Sequence, residues 1–292
     1  MSISLQLGNR SLDLSRAVVM GVLNVTPDSF SDGGRFARRG AAVAQARAMV
    51  AAGASIVDVG GESTRPGAEP VPLQEELDRV LPVIEGIRGE LDVAVSVDTS
   101  KPEVMREAVA AGAALINDVY ALRRPGAVET VAGLDAAVCL MHMQGEPRTM
   151  QADPRYGDVV AEVTEFLVSR AGECEAAGID GGRIVVDPGF GFGKSVAHNL
   201  ALLAGLPALC AAGYPVLAGL SRKSLLAALT GRPVEERVVG SAVLAALAAE
   251  RGAHIIRAHD VAETCDALAI VEALAGPAGH GDRGHGDRGE GT

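Results

Sequence analysis

The chain has 292 residues, 48% hydrophobic and 22% charged, with a formal net charge of −11. That composition fills a sizeable core, and the negative charge excludes unspecific attraction to nucleic acid or to an anionic membrane. The four cysteines (Cys139, Cys174, Cys210, Cys265) lack metal-ligand spacing, no apolar run reaches the roughly 18 residues of a membrane span, and the first residues lack a secretory pattern, so a soluble cytoplasmic protein is expected.

Residues 1–17 read as a short strand or hairpin that plugs one end of the fold. Val18–Leu23 is an apolar run of the kind found in a buried parallel strand, and it ends on Asn24. A loop rich in Pro, Ser, Asp and Gly follows, carrying Phe30 and Asp32; its polarity and length suit a lid. Val43, Ala46 and Val50 give helical spacing over 41–52, stopped by Gly53. Strand 55–59 contains Asp58 and opens into a second polar loop, GGESTRPGAEP. A helix over 73–87 and a strand over 93–97 come next, the strand ending at Asp98. Pro102 opens a helix that runs to Ala111 and stops at Gly112.

The short strand 115–116 ends at Asn117 and Asp118, and a helix over 126–134 follows. Strand 137–141 ends at His142, helix 157–177 stops at Gly178, and strand 183–186 ends at Asp187. Residues 196–212 are read as mostly helical with a break at Pro207. Strand 216–218, a helix from Ser224, a longer helix over 235–251, strand 254–256 and a final helix over 262–275 complete the pattern. Eight strands alternating with eight helical segments imply a parallel sheet. Eight such units in about 250 residues favour a closed (β/α)8 TIM barrel over an open doubly wound sheet. The α/β chain is thus expected to form one barrel domain over 1–275. Residues 276–292, with GHGDR twice and nothing apolar to pack, are expected to be a disordered tail.

The three lysines (Lys101, Lys194, Lys223) each follow a predicted strand, and four of the five phenylalanines (Phe30, Phe36, Phe190, Phe192) fall in or beside strand-end loops. Such clustering marks a binding face, although a GC-rich genome would also deplete lysine. In a barrel the chemistry sits where strands end. Read there in order, the chain supplies Asn24, the 62–65 loop, Asp98, Asn117, Asp187, Lys223, and Arg257 with His259. Carboxylates around one mouth call for a ligand rich in donors or for a metal; Arg65, Lys223, Arg257 and His259 suit an anion such as phosphate. Other roles stay open. Asp58 reads as a structural partner of a rim cation, and Asp98 or Asp187 could be a salt-bridge partner of Lys223 or Arg257. Asn117 and Asp118 could be turn residues, His142 a ligand contact or rim packing, and Phe190 and Phe192 plugs or the walls of a flat-ligand slot. His198 reads as helical, and Arg222 receives no role.

Taken together, these segments resemble the dihydropteroate synthases, the folate-pathway family targeted by sulfonamides. The matching stretches are MGVLNVTPDSFSDGG at 20–34, DVGGESTRPGA at 58–68, SVDTSKPEV at 96–104, INDV at 116–119, LMHMQG at 140–145, VDPGFGFGK at 186–194, GLSRKS at 219–224 and IRAHD at 256–260. The resemblance implies that p-aminobenzoate displaces pyrophosphate from 6-hydroxymethyl-7,8-dihydropterin pyrophosphate, through a dissociative, carbocation-like step. By that resemblance Asp98, Asn117, Met141, Asp187, Gly219, Lys223 and Arg257 bind the pterin. Asn24, Thr64, Arg65, Arg257 and His259 attend the diphosphate, with Asn24 holding Mg²⁺. Phe30, Pro66, Phe192 and Ser224 would receive p-aminobenzoate, while Asp32, Arg65, Lys223 and Arg257 would serve the chemical step. A homodimer is also implied. The alternatives are a methyltetrahydrofolate-binding methyltransferase domain, which needs neither the diphosphate residues nor the lid loops, and a non-catalytic paralogue, against which the retention of Asn24, Arg65, Asp98 and Lys223 speaks.

Overall fold

A computed structural model describes residues 3–26, 35–63, 69–147 and 149–276, with side chains described throughout these ranges except at 35–38. The chain opens with an antiparallel hairpin of β1 (Ser4–Leu7) and β2 (Arg10–Asp13), in which Leu5 faces Leu12. Gly8 turns it at φ +60°, a conformation glycine adopts without a Cβ penalty. Eight parallel strands follow: β3 (Val18–Asn24), β4 (Ala54–Gly60), β5 (Ala94–Asp98), β6 (Leu115–Asp118), β7 (Ala137–Met141), β8 (Ile184–Asp187), β9 (Leu217–Ala218) and β10 (Ile255–Ala258). From β3 to β8 each pairs with its neighbour in chain order, and β10 pairs with both β9 and β3. A bridge between Val186 and Val216, with Val186 N–H donating to Pro215 O at 2.9 Å, joins β8 to the start of β9 and closes the ring.

The helices are α1 (Arg35–Ala51), α2 (Leu73–Glu90), α3 (Pro102–Ala110), α4 (Ala127–Ala132), α5 (Val159–Ala176), α6 (Val196–Ala204), α7 (Leu206–Cys210), α8 (Ser224–Thr230), α9 (Val238–Glu250) and α10 (Val261–Ala275). Because successive side chains of a strand point to opposite faces, two cores form. Outward-facing Val57, Val59, Val95, Val97 and Ile116 pack with Val80, Ile84, Val104 and Leu167 of the helices. Inward-facing Met20, Ile56, Leu115, Cys139, Val185, Leu217 and Ile255 pack with Leu5, Leu7 and Leu14. The hairpin therefore floors the barrel, as the sequence led one to expect, and the opposite mouth is left to polar strand ends.

Several expected boundaries move. The helix over 196–212 breaks at Gly205, not at Pro207, which sits in the first turn of α7 where its missing N–H costs no helical bond. The helix expected over 235–251 starts with one 3₁₀ turn at Val234–Glu236 before α9. Asn24, Asp98, Asn117, Asp187 and Arg257 all lie inside strands rather than just beyond them, which fixes their backbones in the sheet. Residues 277–292, expected to be a tail, lie outside the described residues.

Candidate active site

The C-terminal mouth is organised around one guanidinium. Arg257 on β10 donates from Nε to Asp58 Oδ2 at 2.7 Å and from Nη2 to Asp98 Oδ2 at 2.8 Å. Asn117 Nδ2 on β6 also donates to Asp58 Oδ2, at 3.2 Å. The register explains this gathering. Asp98 stands level with Asn117 on one side and with Gly60, and through it Asn24, on the other. Asp58 lies one inward-facing layer deeper, level with Ser96. Asp58 is fully buried, and its Oδ1 has no hydrogen-bond partner among the described residues. The structure thus assigns Asp58 the pairing role expected of it, but at the centre of the site. The signal was present in the sequence as a carboxylate inside an apolar strand.

Asp187, at the end of β8, accepts the Gly189 amide at 2.7 Å. Of the two strand-end carboxylates, Asp98 is the one in an ion pair with Arg257. Lys223 donates to Phe190 O, and its ammonium lies 4.7 Å from the centre of the Phe192 ring. Gly219 lies between Lys223 and Arg257: a Cβ there would meet Lys223 Nζ and Arg257 Cβ, each at 3.8 Å. Met141 is buried in a patch with Val119, Met143 and Met150, packed against Tyr120 and Phe192. The site therefore has three acceptor side chains, a lysine donor and an apolar wall around one opening.

Burial dominates the electrostatics, because removing a charge from water disfavours it. It raises the Asp98 carboxyl to about 7, against the pull of Arg257 and with help from Asp58, Asp118 and Glu76. Burial raises Asp187 too, opposed by Lys223, the Gly189 amide, Lys194 and Arg257. It lowers Lys223 to about 8, opposed by Asp187 and reinforced by Arg257. Burial acts to lower Arg257 as well, but the Asp58 and Asp98 carboxylates outweigh it and hold the guanidinium above its ordinary value.

Around this centre the open alternatives separate. Asp118 is a turn residue: it accepts from the Tyr120 and Leu122 amides at 2.9 and 2.7 Å and from the Ser100 hydroxyl. It steadies a turn in which Ala121 and Leu122 hold φ +52° and +57°, a conformation side chains resist. His142 is rim packing, edge-on to Phe166 at 5.0 Å between ring centres. His198 caps α6 together with Ser195. Phe190 is buried among core residues and is a plug, whereas Phe192 faces Lys223. Arg222 pairs with Asp260. Lys101 joins Glu62 to buried Glu76.

Asn24 ends β3 half-buried against Gly60. The amide N–H of His259 donates to Ser221 Oγ at 3.2 Å and its ring Nδ1 lies 3.0 Å from the same oxygen, so the sequence reading overlooked Ser221 as the tie between the ends of β9 and β10. Ser224 is exposed at the start of α8. Phe30, Asp32, Thr64, Arg65 and Pro66 lie outside the described residues. Beside the centre a cleft of about 490 Å³ opens from Asp98 toward Lys101, Tyr120, Arg123 and Glu146. Among the described residues no group of three or more His, Cys, Asp or Glu side chains could hold a metal, and no helix is long and apolar enough to cross a membrane.

Residues 20–259 match the family model described as pterin binding enzyme. The chain is 53% identical over 267 residues to the dihydropteroate synthase of Haemophilus influenzae, covering 91% of this chain and 97% of that protein. Among solved structures it is similar to the Xanthomonas albilineans dihydropteroate synthase with 4-aminobenzoic acid, at a TM-score of 0.89 and 55% identity, covering 95% of this chain and all of the other. It is also similar to the same organism's enzyme in complex with 7,8-dihydropteroate, at a TM-score of 0.86 and 53% identity, covering 94% of this chain and 99% of the other.

Proposed function

The chain belongs to the pterin-binding enzymes and, within them, to the dihydropteroate synthase family, and from that membership we propose how its barrel mouth performs the family's reaction. It is a transferase that condenses 6-hydroxymethyl-7,8-dihydropterin pyrophosphate with p-aminobenzoate to 7,8-dihydropteroate and pyrophosphate. The observation that carries the site reading is the convergence of Asp98, Asn117 and Asp187 on one opening with Lys223, beside an Arg257 already held by two carboxylates.

The pterin's guanidine-like edge carries donors, and Asp98, Asn117 and Asp187 supply acceptors fixed in strands. Lys223 donates to the ring acceptors. Met141 packs beside the ring, and Gly219 leaves the ring its space. The Nε and Nη2 groups of Arg257 serve Asp58 and Asp98, so its plane is set before substrate arrives. Its face lies along the pterin, and its remaining N–H groups turn to the leaving diphosphate together with His259, Thr64 and Arg65. The C–O bond breaks and its electron pair leaves with pyrophosphate. The aminobenzoate nitrogen supplies the pair for the new C–N bond and gives its surplus proton to water. Asp32 and Arg65 steady the charge at the methylene, and Phe30, Pro66, Phe192 and Ser224 receive the aminobenzoate. Fixed donors and dipoles aimed at developing charge are the chief catalytic resource of such a site.

Mg²⁺ binds few protein oxygens and keeps waters and substrate phosphates as ligands. Asn24 offers one amide oxygen at the strand end and makes no side-chain hydrogen bond to another described residue, which suits an ion held mainly by the substrate's diphosphate. Bound there, Mg²⁺ would offset charge on the leaving group. Exposed Val239 and Val243 on α9 and Ile270 and Leu274 on α10 support a homodimer through these helices, and the family membership supports a cytoplasmic location.

The test is pyrophosphate release from the purified protein supplied with the dihydropterin pyrophosphate and Mg²⁺. Release that rises with p-aminobenzoate and yields dihydropteroate is expected. Tight pterin binding without release would favour the methyltransferase-like or non-catalytic alternative, and no pterin binding would overturn the site.

A further inference from the structure

The mouth holds one buried cation with no assigned task. Lys194 is 3% exposed, and its close polar partners among the described residues are a ring nitrogen and carbonyl oxygens. Its ammonium lies 2.9 Å from His142 Nδ1 and donates to Gly189 O and Phe192 O, each at 3.0 Å, with His142 O at 3.3 Å sharing an N–H as the longest of the four contacts. With Lys194 as the ammonium, which has donors only, His142 Nδ1 is the acceptor and its ring is neutral. That agrees with a histidine pushed down to about 3 by burial, Lys194 and Arg123. Burial also lowers Lys194 to about 7, opposed by Asp187 and reinforced by Lys223.

What this cation gathers is the loop 189–193, in which Gly189, Gly191 and Gly193 hold φ of +66°, +80° and +61°. Alternating left-handed residues turn the loop carbonyls outward in several directions, and every one of them accepts a side-chain bond. Gly189 O and Phe192 O take Lys194, Phe190 O takes Lys223, Gly191 O takes Gln151 Nε2, and Gly193 O takes the Tyr156 hydroxyl at 2.9 Å. Asn199 Oδ1 accepts the Gly191 amide at 2.7 Å. Lys194 is the only one of these groups to hold two of the loop carbonyls, one on each side of the carbonyl that receives Lys223. Side chains cannot replace the glycines: a Cβ on Gly189 would lie 2.0 Å from His142 O, and one on Gly193 2.4 Å from Gln144 O.

We propose that Lys194, seated on neutral His142, is a positioning residue for the aminobenzoate half of the reaction. It ties the two ends of the 189–193 loop so that Phe190 O anchors Lys223 and the Phe192 ring stands against the Lys223 ammonium. The proposal rests on the reading of the site given above. The pterin acceptors Asp98 and Asn117 stand in strands away from this loop, and Asp187, whose Oδ1 accepts the Gly189 amide, is fixed by the strand it ends. The Phe192 wall depends on the loop itself.

The experiment compares Lys194→Met with the whole wild-type chain. An about tenfold rise in KM for p-aminobenzoate is expected, the scale of one hydrogen bond to a charged group, with smaller losses of about threefold in pterin affinity and kcat through the Lys223 that the loop anchors. His142→Leu removes the imidazole acceptor and raises the same KM, while His142→Asn, whose amide oxygen can stand where Nδ1 stood, restores it; this pair carries the test if Lys194→Met fails to fold. An unchanged KM in folded variants overturns the proposal, and so does an equal loss of pterin and aminobenzoate affinity. Amide hydrogen exchange at Gly191 and Phe192 reads the loop without turnover. Faster exchange in the variants supports the proposal and unchanged exchange overturns it. A wild-type chain that makes no dihydropteroate would overturn the function reading alone.

Discussion

Arg257 illustrates how one side chain arranges the others. Two carboxylates hold it; without it Asp58 keeps only the Asn117 amide, and Asp98 loses its one side-chain donor among the described residues. Arg257→Leu leaves Asp58 and Asp98 buried without their cation, and loss of one partner of a buried pair costs about 3–5 kcal/mol. Urea unfolding should show that loss at pH 8 and less of it at pH 5, where Asp98 can take up a proton. The sign follows from the raised Asp98 value. A carboxyl that titrates near 7 when folded and near 3.8 when unfolded binds a proton over that window only in the folded state, so stability falls as pH rises through it. Pterin binding uses the carboxylate, so affinity for a pterin lacking the diphosphate should rise up to about pH 7. Asp98→Asn should flatten that profile and weaken binding at least about tenfold, since a donor then faces donors. Binding that stays tight and pH-dependent in Asp98→Asn would exclude Asp98 as a reader of the pterin edge. In the sequence, Asp98 and Asn117 could be picked out because a polar residue closes an apolar run. That Asp58 and Asp98 share one guanidinium could not, because the pairing joins residues 199 and 159 positions apart.

At the scale of elements, the β1–β2 hairpin and the 189–193 loop do opposite things with a barrel end. The hairpin seals the floor with leucines. Leu5 is fully buried against the inward-facing ring, so Leu5→Ala should cost about 2–5 kcal/mol by transfer and cavity terms. A thermal melt should show the loss, while the KM values measured well below the melt stay unchanged because the mouth is at the other end. A shifted KM would mean that the floor communicates with the site. The hairpin was legible as short apolar alternation, and strict strand–helix alternation made the barrel legible. Helix ends were less so. Gly205 and Pro207 both break helices by propensity, and only the packing of α6 and α7 decides which residue lies at the break. The three-glycine loop read as holding either plugs or the walls of a flat-ligand slot, and the structure adds the reason for its glycines: its carbonyls needed outward turns to reach Lys194, Lys223, Gln151 and Tyr156.

For the whole molecule, the testable quantity is the mass in solution. One chain is 29.8 kDa. Val239, Val243, Ile270 and Leu274 lie on the last two helices with at least half of each exposed, and an apolar surface of that kind favours association. Sedimentation should give twice the chain mass, and Val243→Glu combined with Leu274→Glu should return it to one. A wild-type monomer would remove the dimer from the proposal.

The sequence by itself determined the alternation, and hence the parallel barrel, because apolar runs, glycine stops and polar strand ends are local signals. It also determined which residue types reach the rim, and its ordered motifs identified the chemistry. Only the tertiary structure decided which rim charges meet: Arg257 with Asp58 and Asp98, Lys194 with His142 and two loop carbonyls, Lys101 with Glu62 and Glu76. The physical reason is that partners in a closed barrel are set by strand register around the ring. Register places side chains in layers across distances that no local spacing encodes.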